Sequence, residues 1–152
     1  MRFRGEYAFL SNFYPAKVEI RMGKGRWYFP SAENAYQACK SENIEDWIAL
    51  ATMEPAAAKK YGRKIKLREN WDSIKLDVME LIVALKFIQN PELRAKLIAT
   101  GDIEIIEENT WNDTYWGVCN GIGENHLGKI LMNIRFLNSA YPKVEKKLKS
   151  RI

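Results

Sequence analysis

A chain of 152 residues, 47% hydrophobic and 28% charged, has the size and balance of one soluble globular domain. It is long enough to bury roughly 70% of its unfolded surface, which excludes intrinsic disorder, a collagen-like repeat and any need for a disulfide framework. The net charge of +5 is concentrated at one end: residues 143–152 carry five basic residues against one glutamate, leaving the body near +1 with no stripe suited to a phosphate backbone.

Residues Val18 to Met22 alternate apolar and charged, the period of a half-buried strand. Gly23-Lys24-Gly25 and Arg26-Trp27-Tyr28-Phe29 then complete a hairpin with a glycine turn. Pro30-Ser31 predicts a helix with Ser31 as its N-cap, on which Glu33, Gln37 and Lys40 form a polar stripe and Ala32, Ala35 and Cys39 the packing side. Ile44, Trp47, Ile48 and Ala51 keep helical spacing, and Pro55 opens a short helix that Gly62 can close. The strongest pattern runs from Trp71 to Gln89, with Ile74, Val78, Leu81, Ile82, Leu85 and Ile88 as its apolar face. Asn90-Pro91 restarts a helix to Thr100-Gly101, and the β-branched run Ile103 to Ile106 predicts a strand. Glu107 to Asn125 has no period and reads as a long loop, after which Leu127, Ile130, Leu131 and Ile134 give a helical stripe to about Phe136. The predicted class is α+β, a mainly helical single domain over 1–152 with a small antiparallel sheet. Residues 143–152 form a basic tail, read as a solvated helix face or solubility device.

The best apolar stretch, Leu76 to Ile88, is interrupted by Asp77, Glu80 and Lys86, well short of the ~18 residues of a membrane span. With no apolar signal region behind Met-Arg-Phe-Arg-Gly-Glu, the expectation is a cytoplasmic protein without a membrane partner. Cys39 and Cys119 stand far apart and His126 is the one histidine, so neither a metal nor a cysteine–histidine nucleophile is expected.

The loop 107–125 gathers carboxylates (Glu107, Glu108, Asp113), aromatics (Trp111, Tyr115, Trp116) and amides, a mixture that suits either a functional loop or one anchored by buried tryptophans with Asp113 as a cap. Glu33 falls in the first turn of its helix, where the dipole favours a carboxylate. Lys86 interrupts an apolar stretch and must snorkel, pair with a carboxylate or hold a ligand anion. Gly121-Ile122-Gly123 is either a flexible turn or a set of amide donors.

Several ordered blocks then resemble one family. Phe9-Leu10-Ser11-Asn12-Phe13-Tyr14-Pro15, Pro30-Ser31-Ala32-Glu33 with Gln37 and Lys40, and Lys86-Phe87 before Gln89-Asn90 are similar to the NADAR family, the YbiA-like fold. Thr100-Gly101, Glu108, Asp113, Trp116-Gly117, and Gly123 with Asn125, Leu127-Gly128-Lys129, Leu131-Met132 and Arg135 continue the match in order. The resemblance implies N-glycoside chemistry on ribosides, without metal or cofactor. Characterised relatives cleave phosphorylated ribosylamino-pyrimidine intermediates of riboflavin synthesis, and others remove ADP-ribose from guanine in nucleic acid. A non-catalytic module binding ADP-ribose or an NAD derivative is the remaining alternative, disfavoured by two carboxylates facing an anionic ligand.

Breaking an N-glycosidic bond passes through an oxocarbenium-like sugar and needs negative charge, an oriented water and help for the departing nitrogen. On the motif match, Glu33 and Asp113 are the expected catalytic pair, with acid and base left unassigned between them. Trp71 and Trp116 would stack on the base or wall the pocket. Lys40, Lys86 and Arg135 are candidates for the phosphate, Asn12, Gln37 and Asn125 for hydroxyls or base edges, and Glu108 for the substrate too. The partner is a phosphorylated riboside or an ADP-ribosyl conjugate, with nucleic acid only in the latter case. The chain departs from the family where His gives way to Asn34, Pro to Trp111, and Ile-Gly to Val118-Cys119.

Overall fold

A computed structural model describes residues 1–150, with the side chains of 141–149 outside the description. The class is α+β, helices with a small antiparallel sheet. The chain divides into two compact units: Arg4–Asn90, and Met1–Phe3 with the chain from Pro91 onward.

In the first unit a 3-10 helix (Gly5–Leu10) precedes the hairpin of β1 (Pro15–Met22) and β2 (Gly25–Ser31). Val18 pairs with Phe29, Ile20 with Trp27 and Met22 with Gly25. Gly23 takes φ +59° at the first turn position, which a side-chain-bearing residue rarely adopts. Alternation buries Ala16, Val18 and Ile20, whereas Met22 beside the turn is exposed. Ser31 ends β2 and caps α1 (Ala32–Cys39), its hydroxyl accepting the Asn34 amide at 3.1 Å. α2 (Ile44–Leu50), α3 (Pro55–Gly62) and α4 (Trp71–Gln89) follow. Trp47 meets Trp27 and Phe29 edge-on at 5.5 and 5.6 Å, closing the core over Val18, Ala35 and Ile82.

Two faces differ from the sequence expectation. α1 is buried from Ala32 to Ala38, so Glu33 and Gln37 lie inside rather than on a solvated stripe. α4 has the expected bounds, yet it buries Trp71, Met79, Ile82, Val83, Lys86 and Phe87 and leaves Leu81 and Ile88 exposed. Its apolar residues run nearly all round the helix, so hydropathy alone does not fix its rotation.

In the second unit α5 (Pro91–Ala99) packs on α6 (His126–Lys149). α6 buries Leu127, Ile130, Leu131 and Ile134 as expected but continues well past Phe136. The basic tail falls largely on side chains outside the described residues. The expected strand at Ile103–Ile106 does not form. Ile105 is fully buried, and its carbonyl accepts the Asn125 side chain at 3.0 Å instead of a ladder partner. Two short strands, β3 (Glu108–Asn109) and β4 (Val118–Cys119), pair in parallel within the long loop. Among the described residues no helix is long and apolar enough to cross a membrane.

Candidate active site

The first unit assembles a polar cluster around Glu33. The carboxylate stands in the first turn of α1, 7% exposed, and the Glu33 amide donates to the Asn12 carbonyl at 3.0 Å. Gln37, one turn on, donates through Nε2 to Glu33 Oε1 at 2.8 Å, which fixes the carboxylate's rotamer. Asn12 Oδ1 and Gln37 Oε1 are both buried and have no hydrogen-bond partner among the described residues. Two orphaned acceptors, one of them on the glutamine that holds the Glu33 carboxylate, are costly in a folded core, at about 1–3 kcal/mol each, and mark where donors are expected from elsewhere.

Lys40 caps the C-terminus of α1 with its Nζ 5.5 Å from the Tyr36 ring centroid. Burial pulls its ammonium below the usual lysine range, Glu33 acts in the opposite sense, and Arg63 and Lys59 push it further down. Arg68 holds the same helix end: its Nε donates to the Cys39 carbonyl at 2.6 Å, its Nη2 to the Ser41 carbonyl at 2.8 Å. Burial pushes the Cys39 thiol up to about 11, so it remains protonated at neutral pH and offers no nucleophile.

Lys86 is fully buried and donates to the Phe9 carbonyl at 2.6 Å and the Ser11 carbonyl at 2.8 Å. Two of its three donors therefore tie down the segment that carries Asn12, and burial lowers its ammonium to about 7. For the expected role at the phosphate this leaves one donor of Nζ, the other two being bonded to main-chain carbonyls. Trp71 is 5% exposed and packs at 5.4 Å on Tyr36, a core position rather than an open stacking face. Asn34, where the family pattern has His, is wholly buried, and its Nδ2 donates to the Leu50 and Met53 carbonyls at 2.8 and 2.7 Å. It ties α1 to the end of α2.

The second unit carries the other candidates. Asp113 Oδ1 accepts the amides of Tyr115 and Trp116 at 3.1 and 2.9 Å, and its Oδ2 has no partner among the described residues. Asn109 grips it from behind: Oδ1 accepts the Asp113 amide at 3.1 Å and Nδ2 donates to the Asp113 carbonyl at 2.8 Å. Asn109 was not singled out from sequence; its signal is an amide four residues before the aspartate. Trp116 is half-buried beside Tyr115 at 4.8 Å and His126 at 6.4 Å. Asn125, at φ +53°, uses both side-chain groups on the loop: Oδ1 accepts the Glu107 amide at 2.9 Å and Nδ2 donates to Ile105. It is a loop staple. Arg135 Nη1 donates to Thr100 Oγ1 at 3.0 Å and the Ile103 carbonyl at 2.7 Å, and Glu108 pairs with the Met1 amino group at 2.6 Å. Asn12, Glu33, Gln37, Lys40, Trp71 and Lys86 thus belong to one unit, and Glu108, Asp113, Trp116, Asn125 and Arg135 to the other.

The model of the NADAR domain matches residues 2–137. An N-glycosidase of Nostoc punctiforme is 37% identical over 136 residues, spanning 85% of this chain and 84% of that protein. The N-glycosidase YbiA of Escherichia coli K12 is 39% identical over 137 residues, 86% of this chain and 81% of its own. A riboflavin biosynthesis protein of Vibrio vulnificus is 37% identical over 133 residues, and there the match spans 35% of the longer protein's length. The NMR structure of E. coli YbiA superposes with a TM-score of 0.80 at 33% identity, covering 95% of this chain and 87% of that one.

Proposed function

The chain belongs to the NADAR domain family, and from that membership we infer that it is an N-glycosidase, a hydrolase of N-glycosyl bonds, acting on a phosphorylated riboside. The preferred substrate class is a ribosylamino-pyrimidine phosphate of riboflavin biosynthesis. The name of the Vibrio relative supports that choice, as does a body of low net charge that lacks a backbone-binding stripe.

The observation that carries the reading is the pair of buried, unpartnered acceptors on Asn12, whose carbonyl takes the Glu33 amide, and on Gln37, which holds the Glu33 carboxylate. A riboside supplies hydroxyl and amino donors that fit Asn12 Oδ1 and Gln37 Oε1. On the motif match, Glu33, oriented by Gln37, and Asp113 are each proposed for an acid–base or electrostatic role. In the reaction the bond from the anomeric carbon to nitrogen breaks, water adds to that carbon and the departing nitrogen gains a proton. One carboxylate stabilises the oxocarbenium-like sugar and takes the water's proton, and hydrogen bonding assists the leaving group. Trp116 is the proposed stacking wall.

The test is incubation of the purified chain with the ribosylamino-pyrimidine phosphate in one tube and DNA bearing ADP-ribosyl-guanine in another, followed by chromatography. Release of free base and sugar phosphate in the first tube, lost in Glu33→Gln and Asp113→Asn, is the expected result. Cleavage confined to the second tube would move the substrate to an ADP-ribosyl conjugate. Binding without turnover in both would leave a ligand-binding module.

A further inference from the structure

Gly62 identifies the face of α3 that presses on α1: a Cβ built there would stand 1.8 Å from Gln37 Oε1 and 2.6 Å from its Cδ. Residues three and four apart share one helix face, so Lys59 stands beside Gly62, and Arg63, the C-cap of α3, stands one turn beyond Lys59. Lys59 Nζ lies 5.8 Å from the ring centroid of Phe13, the residue after Asn12. Lys40 follows Gln37 by three residues on α1, and its electrostatic neighbours are Glu33, Arg63 and Lys59. Lys40 thus gathers one carboxylate and two further cations, in the unit where the buried Asn12 Oδ1 and Gln37 Oε1 await donors. That combination suits a ligand with an anionic group at one end and hydroxyl or amino donors at the other.

We propose that Lys59 of α3 and its C-cap Arg63, with Lys40, the C-cap of α1, form the anion subsite that holds the substrate's phosphate while its hydroxyl or amino groups donate to Asn12 and Gln37. Lys59 is half-buried and Arg63 exposed, an arrangement that leaves the phosphate at the rim and the sugar inward toward Glu33. The proposal rests on the N-glycosidase reading for its substrate, and its binding test is independent of turnover.

The test titrates the full chain with ribose 5-phosphate and with ribose, by calorimetry. Wild type should bind the phosphate ester more tightly than ribose, with an affinity that falls as salt rises. Lys59→Met and Arg63→Met should each weaken ribose 5-phosphate about tenfold, leave ribose unchanged and keep the wild-type melting temperature. Lys59→Arg should restore most of the loss, and Lys24→Met, the same charge change on the hairpin turn, should have no effect. The proposal is overturned if wild type shows no preference for the phosphate ester, or if the variants bind it normally or lose both ligands equally. If the expected pattern appears without turnover of any phosphorylated riboside, the subsite stands and the glycosidase reading falls. If turnover is present with KM indifferent to Lys59 and Arg63, the reverse holds.

Discussion

The two oxygens of Asp113 have separable roles. Oδ1 accepts two main-chain amides and so fixes the Tyr115–Trp116 turn, and Oδ2 has no partner among the described residues. Replacement by asparagine keeps an acceptor for the amides and removes the charge. Asp113→Asn should therefore leave stability within about 0.5 kcal/mol of wild type while turnover falls about 10²–10⁴-fold. Asp113→Ala loses the acceptor as well and should cost a further ~1 kcal/mol or more in urea unfolding followed by tryptophan fluorescence. Wild-type turnover in the asparagine variant would reduce Asp113 to a loop staple. Asn125 is already such a staple, since both its polar groups face the backbone of Ile105 and Glu107. Nothing in its residue type distinguished it from Asn12, whose acceptor is orphaned; only the folded loop decides which amide is spent.

At the scale of elements, the α1–α3 contact determines the Glu33 site, because Gly62 leaves just enough room for Gln37 to reach Glu33. Gly62→Ala should push Gln37 aside, costing about 1–3 kcal/mol and lowering turnover roughly tenfold. In a Gln37→Ala background the same change should cost less than 1 kcal/mol, so a double-mutant cycle reads the coupling directly. Equal costs in both backgrounds would mean that the methyl group clashes elsewhere. Element positions were largely legible: Ser31 as a cap, Pro55 and Gly62 as the ends of α3, and α4 from Trp71 to Gln89 all follow from local chemistry. What each element faces was less so. Leu81 and Ile88 are exposed while Lys86 is buried, because two carbonyls on a distant segment satisfy its ammonium, and no local period records that. Ile103–Ile106 has strand composition and no neighbouring strand, so side chains of the loop and α6 satisfy its backbone instead. The candidate carboxylates were legible through motif resemblance. Lys59 and Arg63 were not, since their relation to Lys40 exists only once α3 packs on α1.

At the scale of the whole molecule, Lys86 links folding to pH. Its folded-state ammonium titrates near 7, pulled down by burial, against 10.5 for an exposed lysine. Below about 7 the group is charged both folded and unfolded, and the cost of burying that charge is present in full. Between about 7 and 10.5 the unfolded chain holds a proton that the folded chain has released, so raising the pH through this window favours the folded state. Other groups titrate over the same range, so the informative quantity is the stability of wild type minus that of Lys86→Met. Lys86→Met also removes the Nζ bonds to the Phe9 and Ser11 carbonyls, the second of which keeps the Tyr14 amide, and this lowers stability by a constant amount of about 1–3 kcal/mol and leaves the slope untouched. From pH 7 to 9 the difference should grow by up to about 1.4 kcal/mol per pH unit in urea unfolding. The carbonyls bonded to Nζ favour the charged form and set that figure as a ceiling. A flat difference would mean that those two bonds offset burial completely, leaving Lys86 a permanent cation beneath the segment that carries Asn12.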